Sequence, residues 1–479
     1  VNIGGEIQRK TLSPSQTKAV LECLNAEPGK VLFVTGEAGT GKSTVLAEVR
    51  DKMSCLVCAP TGLAAINVRG MSCHSTFRLP IGTITGRGKV NALNPDKRRM
   101  LESIKAVVID EISMVRADMM DGINWVMQKT LMNDLPFGGK PIIVIGDMFQ
   151  LEPVVTDEER GWMDYNYRSP FWFDAQVFKV SKQEGLFGDA PAPAEIRVVK
   201  LTEVFRQKDE EFIAALNAVR VGDPSGLELL NKRVMMPPVR PSPVALTYTN
   251  RHADTVNQSR LAALKSDAID FTADVDGEFK ASEYPCAQVL SLKAGAQVMI
   301  TRNLMSNDFS QDFSIVSVPE DLSVNEQMVA NGSVGTLIGL YRKDMPIVEL
   351  NDGRVIIVYR ALWEKIRYVF NIEENKLQES IAGTFTQFPM KLAWAVTTHK
   401  SQGQTMDAAT LTLEGRTFAH GQLYVALSRV RSMEGLYLQR RITASDLMVN
   451  PRVIEFMGEG APAAVADAEK ERVYKEWDS

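Results

Sequence analysis

"VLFVTGEAGTGKSTVLAEV", residues 31–49, decides how this chain begins to fold. A short apolar run rich in β-branched residues (31–34) gives way to a glycine turn and then to a helical pattern. That is the strand–turn–helix context a phosphate loop requires. Within it, "GEAGTGKS" (36–43) fits G-x4-G-K-[ST], a match expected by chance in only about 2% of chains this long. An ordinary strand–helix turn is therefore set aside. Gly36, Gly39 and Gly41, with Ala38 and Thr40 between them, let the backbone turn its N–H groups inward around phosphates, and the next helix points its positive end at them. Lys42 is expected to bridge β- and γ-phosphates, and Ser43, followed by Thr44, to offer its hydroxyl to Mg²⁺. ATP and Mg²⁺ are the expected ligands.

Further along, "AVVIDEISMV" (106–115) reads as a strand buried on both faces that ends in two acids. Asp110 is expected to hold Mg²⁺ through water, and Glu111 to polarise the attacking water as a general base. "PIIVIGD" (141–147) ends in the same way and runs into "MFQLEPV", where Gln150 could orient water or sense the γ-phosphate. Between these strands Ile112, Val115, Met119, Ile123, Val126 and Met127 recur at three- and four-residue spacing, which predicts an amphipathic helix over 113–130. The aromatic-rich "MDYNYRSPFWFDAQVF" (163–178) reads as packing rather than a platform for bases.

After about residue 195 the pattern begins again. "IRVVKLTEVFRQ" (196–207) offers a strand followed by Arg206, and "PVALTYTN" (243–250) a strand closed by Asn250, read as the N-cap of the next helix. "AATLTL" (408–413) and "GLYL" (435–438) are further short strands, with a helix read over 417–431. Strands alternating with helices imply a second α/β domain with a mainly parallel sheet and no second phosphate loop. Arg206 and Arg429 belong to it. If the two domains face each other they would sandwich ATP, the arginines neutralising charge on the transferring phosphoryl group. A surface arginine on an amphipathic helix is an equally open reading of Arg429.

Bulk properties bound the rest. A length of 479 residues suggests roughly three domains. With 45% hydrophobic and 24% charged residues, the composition is that of a soluble globular protein. No apolar run approaches a membrane span and no charged-then-apolar leader is read at Val1. Five cysteines (23, 55, 58, 73, 286) suit a reducing compartment, so a cytoplasmic protein, bacterial or phage-encoded, is expected. Cys55 and Cys58 form a C-x-x-C inside a buried-strand pattern with no second pair, so metal or redox use is not expected. A net charge of −5 argues against a uniformly basic coat but leaves room for a local basic channel.

Taken in order, "LSPSQTKAV" (12–20), "GEAGTGKS", "APTGLAA" (59–65), "GMSCHSTF" (70–77), "VVIDEISMV", "GDMFQLEPV", "LTEVFRQ", "YTNRHADTVN" (248–257), "GAQVMITRN" (295–303), "NGSVGTL" (331–337), "TTHKSQGQTMD" (397–407) and "YVALSRVRS" resemble the superfamily-1 group-B DNA helicases, in particular the Pif-type branch and its RecD- and Dda-like relatives. The resemblance runs from about residue 12 to 440. It implies an α/β fold of two RecA-like domains with parallel sheets and small inserted subdomains: a first domain over 1–195 with a wedge-like insertion at about 78–103, a second over 196–305 and 390–450, and a β-rich barrel inserted at 306–389. Residues 451–479, beyond the resemblance, read by composition as a linker and a charged helix, able to dock on the body or to recruit a protein partner. The resemblance also implies that Gln16 reads adenine, that Arg206 and Arg429 are γ-phosphate arginines, that Gly403 belongs to the nucleotide site, and that Gln150 joins ATP to DNA.

The strand-binding residues implied are Pro60, Thr61, Gly62, His74, Ser75, Phe77, Thr247, Asn250, Thr398, His399 and Lys400. Hydroxyls, amides and cations there would meet phosphates, and His74 and Phe77 would stack on bases. The insertion at 78–100 has six basic residues against one acid and no aromatic, so a solvated basic loop reads as well as the strand-separating wedge the resemblance implies. "MPIVELNDGRVIIVYRAL" (345–362) carries Asn-Asp-Gly between alternating apolar residues, a hairpin signal. The activity implied is 5′→3′ tracking of a monomer on single-stranded DNA, with unwinding at single-strand/duplex junctions and no membrane partner. A nucleotide-switched nucleic-acid clamp or an RNA-directed motor is the alternative.

Overall fold

A computed structural model describes residues 12–179, 192–207, 209–234, 243–304, 329–342, 344–371, 376–412 and 419–458. The linker and helix expected beyond 458, the first part of the expected β insertion (306–328) and the start of the 417–431 helix fall largely or wholly outside the described residues. The chain forms two compact units. The first is built from described parts of Val1–Asp147, Val154–Phe205 and Tyr368–Glu379, and the second from Met148–Pro153, Arg206–Arg367 and Ser380–Ser479.

In the first unit the chain runs α1 (Pro14–Leu24), β1 (Val31–Gly36), α2 (Lys42–Lys52), β2 (Cys55–Ala59), α3 (Gly62–Asn67), β3 (Met71–Ser72) and α4 (Cys73–Phe77). It continues with α5 (Pro95–Ser103), β4 (Ala106–Ile109), α6 (Ala117–Leu131), β5 (Ile142–Gly146), α7 (Asp157–Asn166) and β6 (Ile196–Leu201). The strands make one parallel sheet in the order β3-β2-β4-β5-β1-β6. β1, β2, β4 and β5 are buried along their whole length because both faces are covered, which is why they read as continuous apolar runs. Alternate residues serve alternate faces. Leu32 and Val34 pack with Ala19, Val20 and Cys23 of α1 and with Val45, Leu46 and Val49 of α2. Phe33 meets the edge of Trp172 at 5.5 Å between ring centroids. Trp172 has no exposed surface and also touches Phe173 and Phe178, so the aromatic segment is core.

Strand β6 corrects the reading that began the second half at 196. It pairs with β1, Val31 opposite Ile196 through Gly36 opposite Leu201, and closes the first sheet. Its mixed exposure, with Val198 48% exposed, is that of an edge strand, a pattern that carries little information about which sheet it joins.

The amphipathic helix expected at 113–130 is a short 3₁₀ turn (Ile112–Met114) followed by α6. Its buried polar side chains satisfy the loops around it. Asp118 accepts from the Ile84 amide, Asp121 from the Tyr167 hydroxyl and the Gln176 and Val177 amides, Asn124 from the Phe137 amide, and Thr130 from the Leu93 amide. Just before the helix, Arg116 pairs with Asp118 at 2.9 Å and with Glu159 of α7 at 2.8 Å. This network anchors the root of the basic insertion, where Thr83 donates to Glu159.

In the second unit α8 (Glu210–Arg220), α9 (Leu227–Asn231), β7 (Val244–Thr247) and α10 (Asn250–Ala263) lead into a β-rich stretch. Its strands are β8 (Ile269–Thr272), β9 (Asp274–Gly277), β10 (Val289–Leu292), β11 (Gln297–Ile300), β12 (Val334–Tyr341), β13 (Met345–Leu350), β14 (Val355–Ile357), β15 (Ala361–Asn371), β16 (Lys376–Gln387) and β17 (Met390–Leu392), the described parts of Tyr368–Glu379 in β15 and β16 belonging to the first unit. Then follow β18 (Ala395–Thr397), β19 (Ala409–Leu411), α11 (Gln422–Leu427), β20 (Leu436–Leu438) and α12 (Pro451–Met457). β18-β7-β19-β20 form the expected parallel sheet.

The stretch expected to form a barrel is described in part. Among the described residues an antiparallel sheet, β14-β13-β12-β11-β17, packs an apolar core, and β15-β16-β9 form a separate sheet. The Asn-Asp-Gly hairpin is present, with Leu350 donating to Arg354 at 2.7 Å and Gly353 at φ +85°. Helix α10 is capped by Thr249, whose hydroxyl accepts from the His252 amide, and not by Asn250, which is its first residue.

The Glu159 carboxyl provides a test of the α6–α7 network. Partial burial pushes it up, but the Arg116 guanidinium, the Thr156 amide and hydroxyl and the Thr83 hydroxyl outweigh this and hold it at about 2 rather than 4.5. A folded value below the unfolded one stabilises fully above about pH 4.5 and fades as pH falls toward 2. The difference in thermal midpoint between wild type and Glu159→Gln should therefore be largest near neutrality and shrink through that window. A difference independent of pH would contradict the network.

Candidate nucleotide site and nucleic-acid loops

In the first unit the phosphate loop follows β1. Lys42 donates through Nζ to the Gly36 carbonyl at 2.6 Å and the Glu37 carbonyl at 2.9 Å, so the ammonium is curled into its own loop. Thr40, 1% exposed, donates to the Glu37 carbonyl at 2.9 Å. Gly39 and Gly41 lie at φ +88° and +80°. At Gly41 glycine is also required for space, because the Gln16 Nε2 occupies the position a Cβ would take. Ala38 is buried, Thr44 half-buried and Ser43 exposed at the start of α2.

Gln16 is committed at both ends of its amide. Its Oε1 accepts from the Ser13 amide, completing the capping box of α1, and its Nε2 donates to the Thr40 carbonyl at 3.1 Å. Sequence reasoning, with adenine in view, missed this bracing of the loop, although the Ser13-x-x-Gln16 spacing carries its signal.

Asp110 ends β4 with its amide donating to the Cys58 carbonyl at 2.9 Å. Burial pushes its carboxyl up to about 6, against the Glu111 amide and the Lys42 charge, which both pull it down. Glu111 occupies the left-handed region (φ +51°, ψ +46°), where a side chain costs about 1–2 kcal/mol. Strain of this kind, held by the surrounding fold, marks a residue whose direction matters. An exposed hydroxyl at a helix start and a half-buried carboxylate fit a small oxyphilic cation.

The strand-binding residues expected in this unit divide. Pro60 and Gly62 are half-buried and Thr61 and Ser75 exposed, and the Thr61 hydroxyl caps α3 by accepting from the Ala64 amide. His74 is half-buried, its imidazole pushed down by burial against the pull of Asp118. Phe77 is a correction: it has no exposed surface and belongs to the core, so it cannot stack on bases. In the basic insertion, Lys97 donates to the Ser75 and Thr76 carbonyls, while Arg87 pairs with Asp134 and Arg98 with Glu102. Ile81 is 98% exposed.

In the second unit residues from four distant stretches converge around α11. Arg429 is 1% exposed, which excludes the surface reading. Its guanidinium donates to the carbonyls of Val425 (2.8 Å), Ser401 (3.4 Å) and Gln404 (3.5 Å) and to the Ser428 hydroxyl (2.7 Å). The Ser428 carbonyl in turn accepts from Arg206 at 3.1 Å and from Gln207 at 3.3 Å. Gln150 is 8% exposed and accepts from Gln402 at 3.2 Å. Gly403 lies at φ +76° with open space where a side chain would begin.

Asn250, His399 and Lys400 are exposed. Thr247 and Thr398 are corrections: they are 2% and 0% exposed, and their hydroxyls donate to the Thr249 and Thr247 carbonyls, which removes them as donors to phosphate. Gln207, Gln402 and Ser428 were missed because each is an ordinary polar residue beside a more conspicuous one. Among the described residues no helix is long and apolar enough to cross a membrane.

A parallel sheet bearing a phosphate loop, joined to a second parallel sheet without one, defines a P-loop protein of two RecA-like units. The profile of the PIF1-like helicase family matches residues 11–225. The ATP-dependent DNA helicase Pif1 of a Psychrobacter species is 31% identical over 458 residues, covering 86% of this chain and 66% of that one. Bacteroides Pif1 in complex with ADP-AlF4 is 31% identical with a TM-score of 0.78, covering 98% of both chains. Bacteroides Pif1 bound to single-stranded DNA is 31% identical with a TM-score of 0.61, covering 94% of this chain and 96% of that one. The chain belongs to the Pif1-like helicase family. It spans 57–66% of the length of the first few curated relatives it matches.

Gly421 tests the convergence around α11. It lies at φ +75°, and a Cβ there would press into the Phe149 and Gln150 carbonyls. Gly421→Ala should destabilise the protein by about 2–4 kcal/mol in chemical denaturation, the sum of left-handed strain and overpacking. Gly458→Ala, equally left-handed (φ +68°) but with nothing within 4 Å of an added Cβ among the described residues, should lose only the strain. Equal losses in the two variants would refute the contact.

Proposed function

We propose that this chain is an ATP-dependent DNA helicase that moves 5′→3′ on single-stranded DNA as a monomer and opens duplex ahead of it. The observation that carries the reading is the phosphate loop at the end of β1, with Lys42 curled into it and Asp110 at the end of β4 in the same parallel sheet. Family membership supports the substrate class, since relatives of this fold are named as ATP-dependent DNA helicases. Lys42 would exchange its two carbonyls for phosphate oxygens at little reorganisation cost, because both sets of acceptors occupy the same cradle. Ser43 and Asp110 would hold a Mg²⁺, whose chemistry there is to neutralise charge on the phosphate oxygens.

Glu111, directed by its strained backbone, would take a proton from the attacking water. Arg206 and Arg429 would offset charge on the transferring phosphoryl group, and Gln150 would report nucleotide state to the 397–404 loop through Gln402. For Arg429 this requires exchanging at least some of its carbonyl partners for phosphate. Gln16 would brace the loop and meet the adenine. Pro60, Thr61, Gly62, His74, Ser75, Asn250, His399 and Lys400 remain the strand-binding candidates.

Lys42→Ala should lower DNA-stimulated ATP turnover by about 10²–10³ or more while the protein still folds. Arg429→Ala should retain nucleotide binding and lose most turnover. Strand displacement from substrates with a 5′ or a 3′ overhang tests the whole reading, and opening only with the 5′ overhang is expected. Turnover stimulated by single strands without opening of either substrate would identify a clamp. Stronger activation by RNA than by DNA would identify an RNA-directed motor.

A further inference from the structure

Residues 148–153 follow the end of β5 and belong to the second unit. Four contacts seat them. The Arg220 guanidinium lies over the Phe149 ring, with Cζ 4.0 Å from the centroid. Gln402 donates to Gln150 at 3.2 Å. Gly421 leaves room for the Phe149 and Gln150 carbonyls, and Asn450 donates to Glu152 at 3.3 Å.

Arg220 is out of place for a residue that only fills space. It closes α8, whose buried stripe runs Phe212, Leu216, Val219 and then Arg220 at the same helical phase, and it is 3% exposed. A leucine would complete that stripe without taking a charge out of water, a step that is costly unless the charge is compensated. What the guanidinium adds is direction. A desolvated cation over an aromatic face gives about 2 kcal/mol or more, and only when the ring lies flat beneath it. Phe149, itself 3% exposed, is thereby held in one orientation, and the next residue along the backbone is Gln150.

We propose that Arg220 is a positioning residue: by clamping the Phe149 ring it aims the Gln150 amide at Gln402 and so links nucleotide turnover to the strand-binding 397–404 loop. This rests on the reading of Gln150 as the element that joins ATP to DNA. Arg220 closes α8 and Phe149 lies in the segment after β5, both outside the phosphate loop in sequence, so the DNA-stimulated part of turnover is where their loss should show.

The test uses the full chain with Arg220→Met, Arg220→Lys, Phe149→Leu and the double variant Arg220→Met/Phe149→Leu. For each, thermal midpoint, DNA-free ATP turnover, kcat and KM for ATP with saturating single-stranded DNA, and duplex opened per ATP are measured. Arg220→Met and Phe149→Leu should each lower the DNA-stimulated kcat by about 10- to 100-fold, with KM for ATP and DNA-free turnover within about twofold of wild type. Arg220→Lys should recover part of the loss, and the double variant should be no worse than either single one. Should Arg220→Met fail to fold, Phe149→Leu and Arg220→Lys read the same link from its other end. Wild-type stimulation in the folded variants, or an equal fall with and without DNA, would overturn the assignment. A wild-type protein that DNA does not stimulate at all would instead overturn the helicase reading on which the assignment stands.

Discussion

Parallel strands bring their carboxyl ends to one edge of a sheet, and almost everything chemical in this protein follows from that constraint. In the first unit β1 ends at the phosphate loop, β2 at Pro60 and Thr61, β4 at Asp110 and Glu111, and β5 at Asp147. Residues more than a hundred positions apart become neighbours because right-handed crossovers return each strand in the same sense. The second unit repeats the arrangement, with β7 ending beside Asn250 and β18 beside His399 and Lys400. No special contact has to gather these groups; the sheet does so.

What the sheets leave undecided is the orientation of each group, and buried polar side chains settle that. Gln16 fills the space above Gly41 and fastens the phosphate loop to the first helix. Arg429 draws the carbonyls of two loop residues and one helix residue onto a single guanidinium. A buried charge is tolerated here because its donors are directed at carbonyl and hydroxyl oxygens, and hydrogen bonds to a charged group contribute about 1.5–3 kcal/mol each. The same economy explains α6, whose acids and amides accept from the amides of flanking loops rather than from each other. Loops that would otherwise bury unsatisfied N–H groups are held by a helix that reads, from its periodicity, as simple core.

Much of this was legible in the residues. The phosphate loop, the acidic strand end, the second parallel sheet and the Asn-Asp-Gly hairpin carry local signals, because each demands particular backbone angles or burial on both faces. The errors are equally physical. Phe77, Thr247 and Thr398 share motifs with exposed neighbours, and nothing in a linear motif says which side chain points inward. Asn250 and Thr249 are both good caps, and one residue of register decided between them. Strand β6 follows a long segment, so its partner depended on which sheet had an open edge.

By itself, therefore, the sequence determined the kinds of elements, the family and the residues able to handle phosphate, since these rest on short-range backbone and burial requirements. Tertiary structure alone decided which of those residues face inward, that Arg220 lies on Phe149, and that Gln207 and Arg206 share one carbonyl with the Arg429 turn. Such contacts join stretches from about 70 to more than 220 residues apart, and no periodicity or propensity within either stretch records its partner.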